Sequence, residues 1–98
     1  MHNNDKKTEI DHLMSAMTLL DNPQEFAAFF EDVCTPKEIQ AMAQRLQVAV
    51  LLREGKTFTD IVSLTGASST TISRVSRCLQ SGAGGYRTVL DRMDTENK

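Results

Sequence analysis

Between Ser68 and Gln80 the chain lays out hydroxyls and then cations: Ser68, Ser69, Thr70, Thr71, Ser73, Arg74 and Arg77. Hydroxyls donate to and accept from phosphates and base edges, and guanidinium groups clamp phosphates, so the set suits a polyanion that carries both. Ile72, Val75 and Leu79 are interleaved at helical spacing and give the same segment one apolar stripe. Four hydroxyls at Ser69, Thr70, Thr71 and Ser73 lower helix propensity, so helix stability alone does not favour them. They read either as solvated helix polars or as contacts to DNA, while capping of a helix is by itself sufficient for Ser68. Arg74 and Arg77 stand three apart on one side, beside the hydroxyls, which suits phosphate clamping. Lys56 and Arg87 are weaker candidates for that work, and Arg45 and Arg53 either pair with carboxylates of a neighbouring helix or touch DNA.

Two short elements must position this set. Thr57 is a candidate N-cap with Asp60 three residues on, which starts a helix at Phe58. Phe58, Ile61 and Leu64 would give it one apolar face, and Gly66 supplies the positive φ that ends it. Ser68 then caps the second helix. Two helices joined by a tight turn over residues 57–80 make a helix-turn-helix, whose second helix buries one side and offers small polar and cationic side chains to the major groove.

The rest of the chain reads as helix throughout. Residues 1–8 carry charge without periodicity and read as a frayed arm. From Glu9, the residues Ile10, Leu13, Met14, Met17 and Leu20 follow helical spacing until Asp21 and Asn22. Asn22-Pro23-Gln24-Glu25 is a start signal for a second helix with Phe26, Phe29, Phe30 and Val33, aromatic packing for a core or a dimer contact. Thr35-Pro36-Lys37-Glu38 repeats the signal, and nothing breaks the third helix before Gly55. Ile39, Met42, Ala43, Leu46 and the run Val48 to Leu52 make more than one of its faces apolar, so it should be central and covered by other helices or by a second copy. Ser81 to Gly85 is too glycine-rich for helix, Tyr86, Val89, Leu90 and Met93 restore the spacing, and Asp94 to Lys98 should fray. The expectation is an all-α fold of six helices, with one domain over residues 9–93.

Composition narrows the function classes. The 98 residues suffice for one domain with a modest core, and with no Trp and 5% aromatics the apolar content is mostly aliphatic. The net charge of −2 hides an asymmetry: residues 1–36 hold two Lys against seven acidic residues, and residues 37–92 hold eight basic against four acidic. A basic second half supplies the local field that DNA requires. No apolar run is long enough to cross a bilayer and the start lacks a secretory signal, so the expected location is the cytoplasm, away from the membrane. Cys34 and Cys78 form no CxxC, and His2 and His12 lie in the polar start, so neither a disulfide framework nor a metal site is indicated. No P-loop, GxGxxG or Ser/His/Asp order is present, and no strand precedes Gly82-Ala83-Gly84-Gly85 to make it a phosphate cradle. An enzyme is not expected, nor a cofactor.

The segment from Cys34 to Leu79 resembles the core of the Trp repressor superfamily, over roughly half of the chain. The resemblance is carried by TP-x-E before the long helix, R-x-x-x-A-x-L-L within it, REGK at its end, TGAS in the turn and T-I-S-R on the second helix. With SGAGGY at 81–86 it is closer still to the YerC/YecD group of Trp-repressor-like bacterial proteins. The resemblance implies an intertwined homodimer and a DNA-binding transcriptional regulator, in the first instance a repressor, with Ser69 and Thr70 at the tip that faces the groove of double-stranded DNA. It also implies an effector pocket, because in tryptophan-binding members two arginines sandwich the indole and Arg45 and Arg74 stand at the matching positions. The next position, Gly in those proteins, is Val75 here, and the Ser that helps to hold the ligand amino group corresponds to Cys78. A β-branched side chain and a thiol suit neither the indole nor the ammonium group, so L-tryptophan should not bind appreciably. Two alternatives stay open: a helical dimerisation or adaptor module without DNA affinity, and a repressor switched by some other small molecule.

Overall fold

The structure, a computed structural model, describes residues 5–96. Six helices follow one another, α1 Lys6–Met17, α2 Pro23–Val33, α3 Pro36–Arg53, α4 Phe58–Thr65, α5 Ser69–Ser81 and α6 Gly85–Glu96, with no strand among the described residues. Four starts are fixed by the caps that the sequence marks. Asn22 Oδ1 accepts from the Glu25 amide at 2.9 Å, Thr35 and Glu38 form a reciprocal box, Thr57 and Asp60 form another, and Ser68 Oγ accepts from the Thr71 amide at 3.1 Å. Each such cap is worth about 1 kcal/mol.

Both ends of α1 and both ends of α6 differ from the expectation. α1 begins at Lys6, where the Asp5 carboxylate accepts from the Lys7 amide at 3.0 Å, so the helix takes in part of the expected arm; residues 1–4 of that arm lie outside the described residues. It ends at Met17 rather than Leu20, because the amides of Thr18, Leu19 and Leu20 bond three residues back and tighten the last turn. α6 absorbs Gly85 from the expected loop and continues past Met93 to Glu96, and residues 97–98 lie outside the described residues.

The chain divides into two units, Met1–Ile39 and Gln40–Lys98. In the first, neither α1 nor α2 has a buried residue, although Phe26, Phe29 and Phe30 are half-buried and their rings pack at centroid separations of 6.5 Å and 6.0 Å. In the second, Val48, Ala49, Leu51, Ile61, Ala67, Ile72, Val75 and Leu90 form one buried cluster, flanked by Leu46, Val50, Leu52, Leu79 and Tyr86. Burying each of the larger side chains contributes roughly 1.5–3 kcal/mol. Only the second half of α3 joins this core; Met42 and Ala43 are exposed, so of the two coverings expected for α3, other helices or a second copy, the helices of the chain supply only part. α3 then stops in a tight C-terminal motif in which the Lys56 amide bonds to Leu51 O and the Gly55 amide to Leu52 O.

The stripe expected on α4 is also narrower. Ile61 is fully buried, but Phe58 and Leu64 are exposed. A step of three residues falls about 60° short of a full helical turn, so Phe58 and Leu64 flank Ile61 on either side and only the central residue faces the core.

Candidate nucleic-acid interface

The helix-turn-helix is built from its turn outward. Thr65 Oγ1 donates to Ile61 O at 2.7 Å and accepts from the Ala67 amide at 3.0 Å, which ties the end of α4 to the residue after the bend. Gly66 takes φ 74°, the left-handed conformation that L side chains resist, and its amide bonds to Val62 O. Ala67 is buried in the core. From α3, Gln44 Nε2 donates to Thr65 O at 3.2 Å, so the turn is anchored to the long helix as well as to its own neighbours. The angle between α4 and α5 is thus fixed by packing and by hydrogen bonds together.

On α5 the stripe lies as its spacing predicts: Ile72 and Val75 are buried and Leu79 packs against the core. On the remaining surface Ser69, Thr70, Ser73, Arg74 and Arg77 are exposed, and among the described residues none of their side chains has a hydrogen-bond or ion-pair partner. Five donors therefore stand free on one rigid helix. Ser68 and Thr71 differ from them: Ser68 Oγ accepts from the Thr71 amide and donates to Thr71 Oγ1 at 3.1 Å, and Thr71 is half-buried. Both hydroxyls are committed to the cap. Lys56 is exposed but precedes α4, so it stands one length of that helix, about 12 Å, from the turn. Arg53 pairs with Asp91 of α6, and Arg87 donates to backbone carbonyls of α5, so these two cations are engaged inside the unit.

The four residues of the expected effector pocket do not share one surface. Arg74 and Cys78 line a shallow recess with Arg77, Ser81 and Gly82. Val75 is 1% exposed and is spent in the core, and Arg45 is half-buried on α3. Helical geometry turns Val75 away from Arg74 by about 100°. Both cysteines are free thiols and half-buried.

Sequence reasoning missed the roles of Gln44, Thr65 and Ala67, and it offered Arg87 as a weaker phosphate contact rather than as a partner of the α5 carbonyls. Gln44 is one of three glutamines on α3, with Gln40 and Gln47, and nothing in the sequence sets it apart, whereas a threonine directly before the bend glycine was an available signal for Thr65. No helix among the described residues is long and apolar enough to cross a membrane.

Three comparisons agree with this geometry. The family model for the Trp repressor protein matches residues 8–94. The uncharacterized protein YerC of Bacillus subtilis (strain 168) is 48% identical over 91 residues, which is 92% of this chain and 88% of that protein. Among solved structures, a TrpR-like protein from Eubacterium eligens superposes with a TM-score of 0.85 at 45% identity, over 94% of this chain and 96% of that one. A candidate Trp repressor from Staphylococcus aureus superposes with a TM-score of 0.84 at 46% identity, over 89% of this chain and 87% of that one. The turn, the buried stripe and the free polar face thus sit in a chain that belongs to the Trp repressor family of DNA-binding regulators.

Proposed function

We propose that the protein is a homodimeric, sequence-specific transcriptional repressor that reads double-stranded DNA with α5 and acts in the cytoplasm. The observation that carries this reading is the pairing on one helix of a sealed apolar stripe, Ile72 and Val75, with the unengaged set Ser69, Thr70, Ser73, Arg74 and Arg77. Ser69 and Thr70 occupy the first turn, where a reading helix meets base edges, and Ser73 follows on the same exposed surface. Arg74 and Arg77 take phosphates, which fix register and supply most of the affinity. Ser68 and Thr71 support them by holding the helix start. A twofold dimer would place two copies of α5 in successive major grooves, so the site is a near-palindrome with half-sites about one helical turn apart.

Dimerisation is supported by the first unit, whose α1 and α2 carry apolar side chains and no buried residue. A second copy is the covering that the family resemblance implies. L-tryptophan is not a ligand in this reading, since the resemblance sets Val75 where tryptophan-binding members have Gly and Cys78 where they have the Ser that helps to hold the amino group; calorimetry with L-tryptophan should register no stoichiometric complex.

The decisive experiment selects bound sequences from a random duplex pool and then follows affinity against salt. Arg74→Ala or Arg77→Ala should weaken all sequences alike and lower the salt slope by about one each. An unchanged slope at both positions removes them from the interface. Absence of salt-dependent binding to any duplex would turn the assignment to a dimerisation or adaptor module.

A further inference from the structure

α5 runs out at Ser81 with no basic side chain in its last turn, so its final carbonyls and the negative end of its dipole must be met from elsewhere. Gly82 meets the first: its amide bonds to Cys78 O at 2.9 Å. The chain passes so close there that a Cβ at residue 82 would lie 2.6 Å from the same oxygen. The next two carbonyls both go to Arg87. Its Nε donates to Leu79 O and its Nη2 to Gln80 O, each at 2.8 Å. A planar guanidinium fork spans two adjacent carbonyls with two donors in a fixed geometry, which the flexible point charge of an ammonium group does not reproduce.

Arg87 is itself held. Leu90 of the same helix is buried in the core, and Asp91, one turn along from Arg87, pairs with Arg53 at the end of α3. α5 is therefore pinned at both ends, at its start by the turn that Gln44 and Thr65 anchor and at its finish by Arg87. We propose that Arg87 is a positioning residue for DNA recognition: it fixes the pitch of α5 against α6 and so keeps Ser69 and Thr70 aligned with base edges, without contacting DNA. The inference rests on α5 being the DNA reader. Short hydroxyl side chains reach a base edge only from a fixed backbone, while the long side chains of Arg74 and Arg77 follow a phosphate through small shifts. Loosening the clamp should therefore reduce discrimination before it reduces general affinity.

The test measures Arg87→Ala and Arg87→Lys on the selected site and on random duplex across a salt series, at a temperature where circular dichroism reports both variants folded. Arg87→Ala should lower the ratio of specific to random affinity about tenfold, the loss of roughly one base contact, with the salt slope on random duplex unchanged. Arg87→Lys, which can reach one carbonyl, should recover part of that ratio, and it carries the test alone if the alanine variant does not fold. Amide exchange at Gly82 should quicken in step with the lost discrimination. A salt slope lowered by about one with the ratio intact would make Arg87 a phosphate contact and overturn the proposal. An unchanged ratio and slope would overturn it too. Failure of the unaltered protein to bind any duplex would instead sink the DNA reading, a result distinct from binding that ignores Arg87.

Discussion

In the second unit Val48, Ile61 and Ile72 are sealed from water, whereas in the first Ile10, Met14 and Val33 stay 57%, 50% and 55% exposed. Both regions are made of short, well-capped helices, so local propensity does not separate them. What separates them is closure. From Gln40 on, the last part of α3 and three further helices surround one cluster, and each contributes at least one buried side chain to it. Residues 1–39 contain two helices and one turn of a third, and they leave their aliphatic stripes uncovered. Charge follows the same division: residues 1–39 hold three basic against eight acidic residues, and residues 40–98 hold eight basic against five acidic. A region with a finished core and free cations suits a polyanion, and a region with unfinished apolar burial and acidic charge suits a protein surface.

The largest expected effect separates the two regions by where stability resides. Ile72→Ala opens a cavity in a closed cluster and should cost roughly 2–5 kcal/mol in denaturant unfolding, by the same amount at every protein concentration. The matching change in the first unit, Ile10→Ser with Met14→Ser, removes side chains that already face water. It should leave the α5 core intact and raise the dissociation constant of the proposed homodimer, by the equivalent of roughly 2–3 kcal/mol, as read by sedimentation equilibrium. If the double variant instead unfolds independently of concentration, or leaves the dimer as tight as before, the stripes of α1 are not the dimer contact and the contrast between the units loses its functional meaning.

What was legible in the sequence follows the range of the interaction involved. The caps at Asn22, Thr35, Thr57 and Ser68 are three-residue events, and each forms as its spacing implies. The division of α5 into a stripe and a polar face was equally legible, because every residue concerned lies on one helix. The contacts that aim that helix were not. Gln44 reaches Thr65 across 21 residues of sequence and Arg87 reaches Leu79 across eight, and nothing local pairs either donor with its acceptor. The faces of α3 and α4 were overestimated for a related reason: an apolar residue at the right spacing becomes core only if a second element arrives to cover it, and for Met42, Phe58 and Leu64 none does within the chain. Within the candidate site, chemistry alone could not divide the hydroxyls; the fold assigns Ser68 and Thr71 to the cap and leaves Ser69, Thr70 and Ser73 free.

The smallest expected effect uses that division to sharpen the contrast. Asn22 and Ser68 make the same kind of bond, each accepting from the amide three residues on, one at the start of α2 and the other at the start of α5. Replacing either by Ala should cost about 1 kcal/mol of stability, because the same orphan amide is released. Ser69→Ala, one position into α5, removes no internal bond and should change stability by no more than about 0.5 kcal/mol. On DNA the order should invert. Asn22→Ala leaves the reading face untouched and should bind as the unaltered protein does once folded, while Ser69→Ala should weaken binding to the selected site. Ser68→Ala should do both, losing stability directly and affinity through a frayed first turn that no longer holds Ser69 and Thr70 in place. If Ser69→Ala proves as neutral on DNA as Asn22→Ala, the free hydroxyls of α5 are solvated surface, and the cations alone distinguish this helix from those of the first unit.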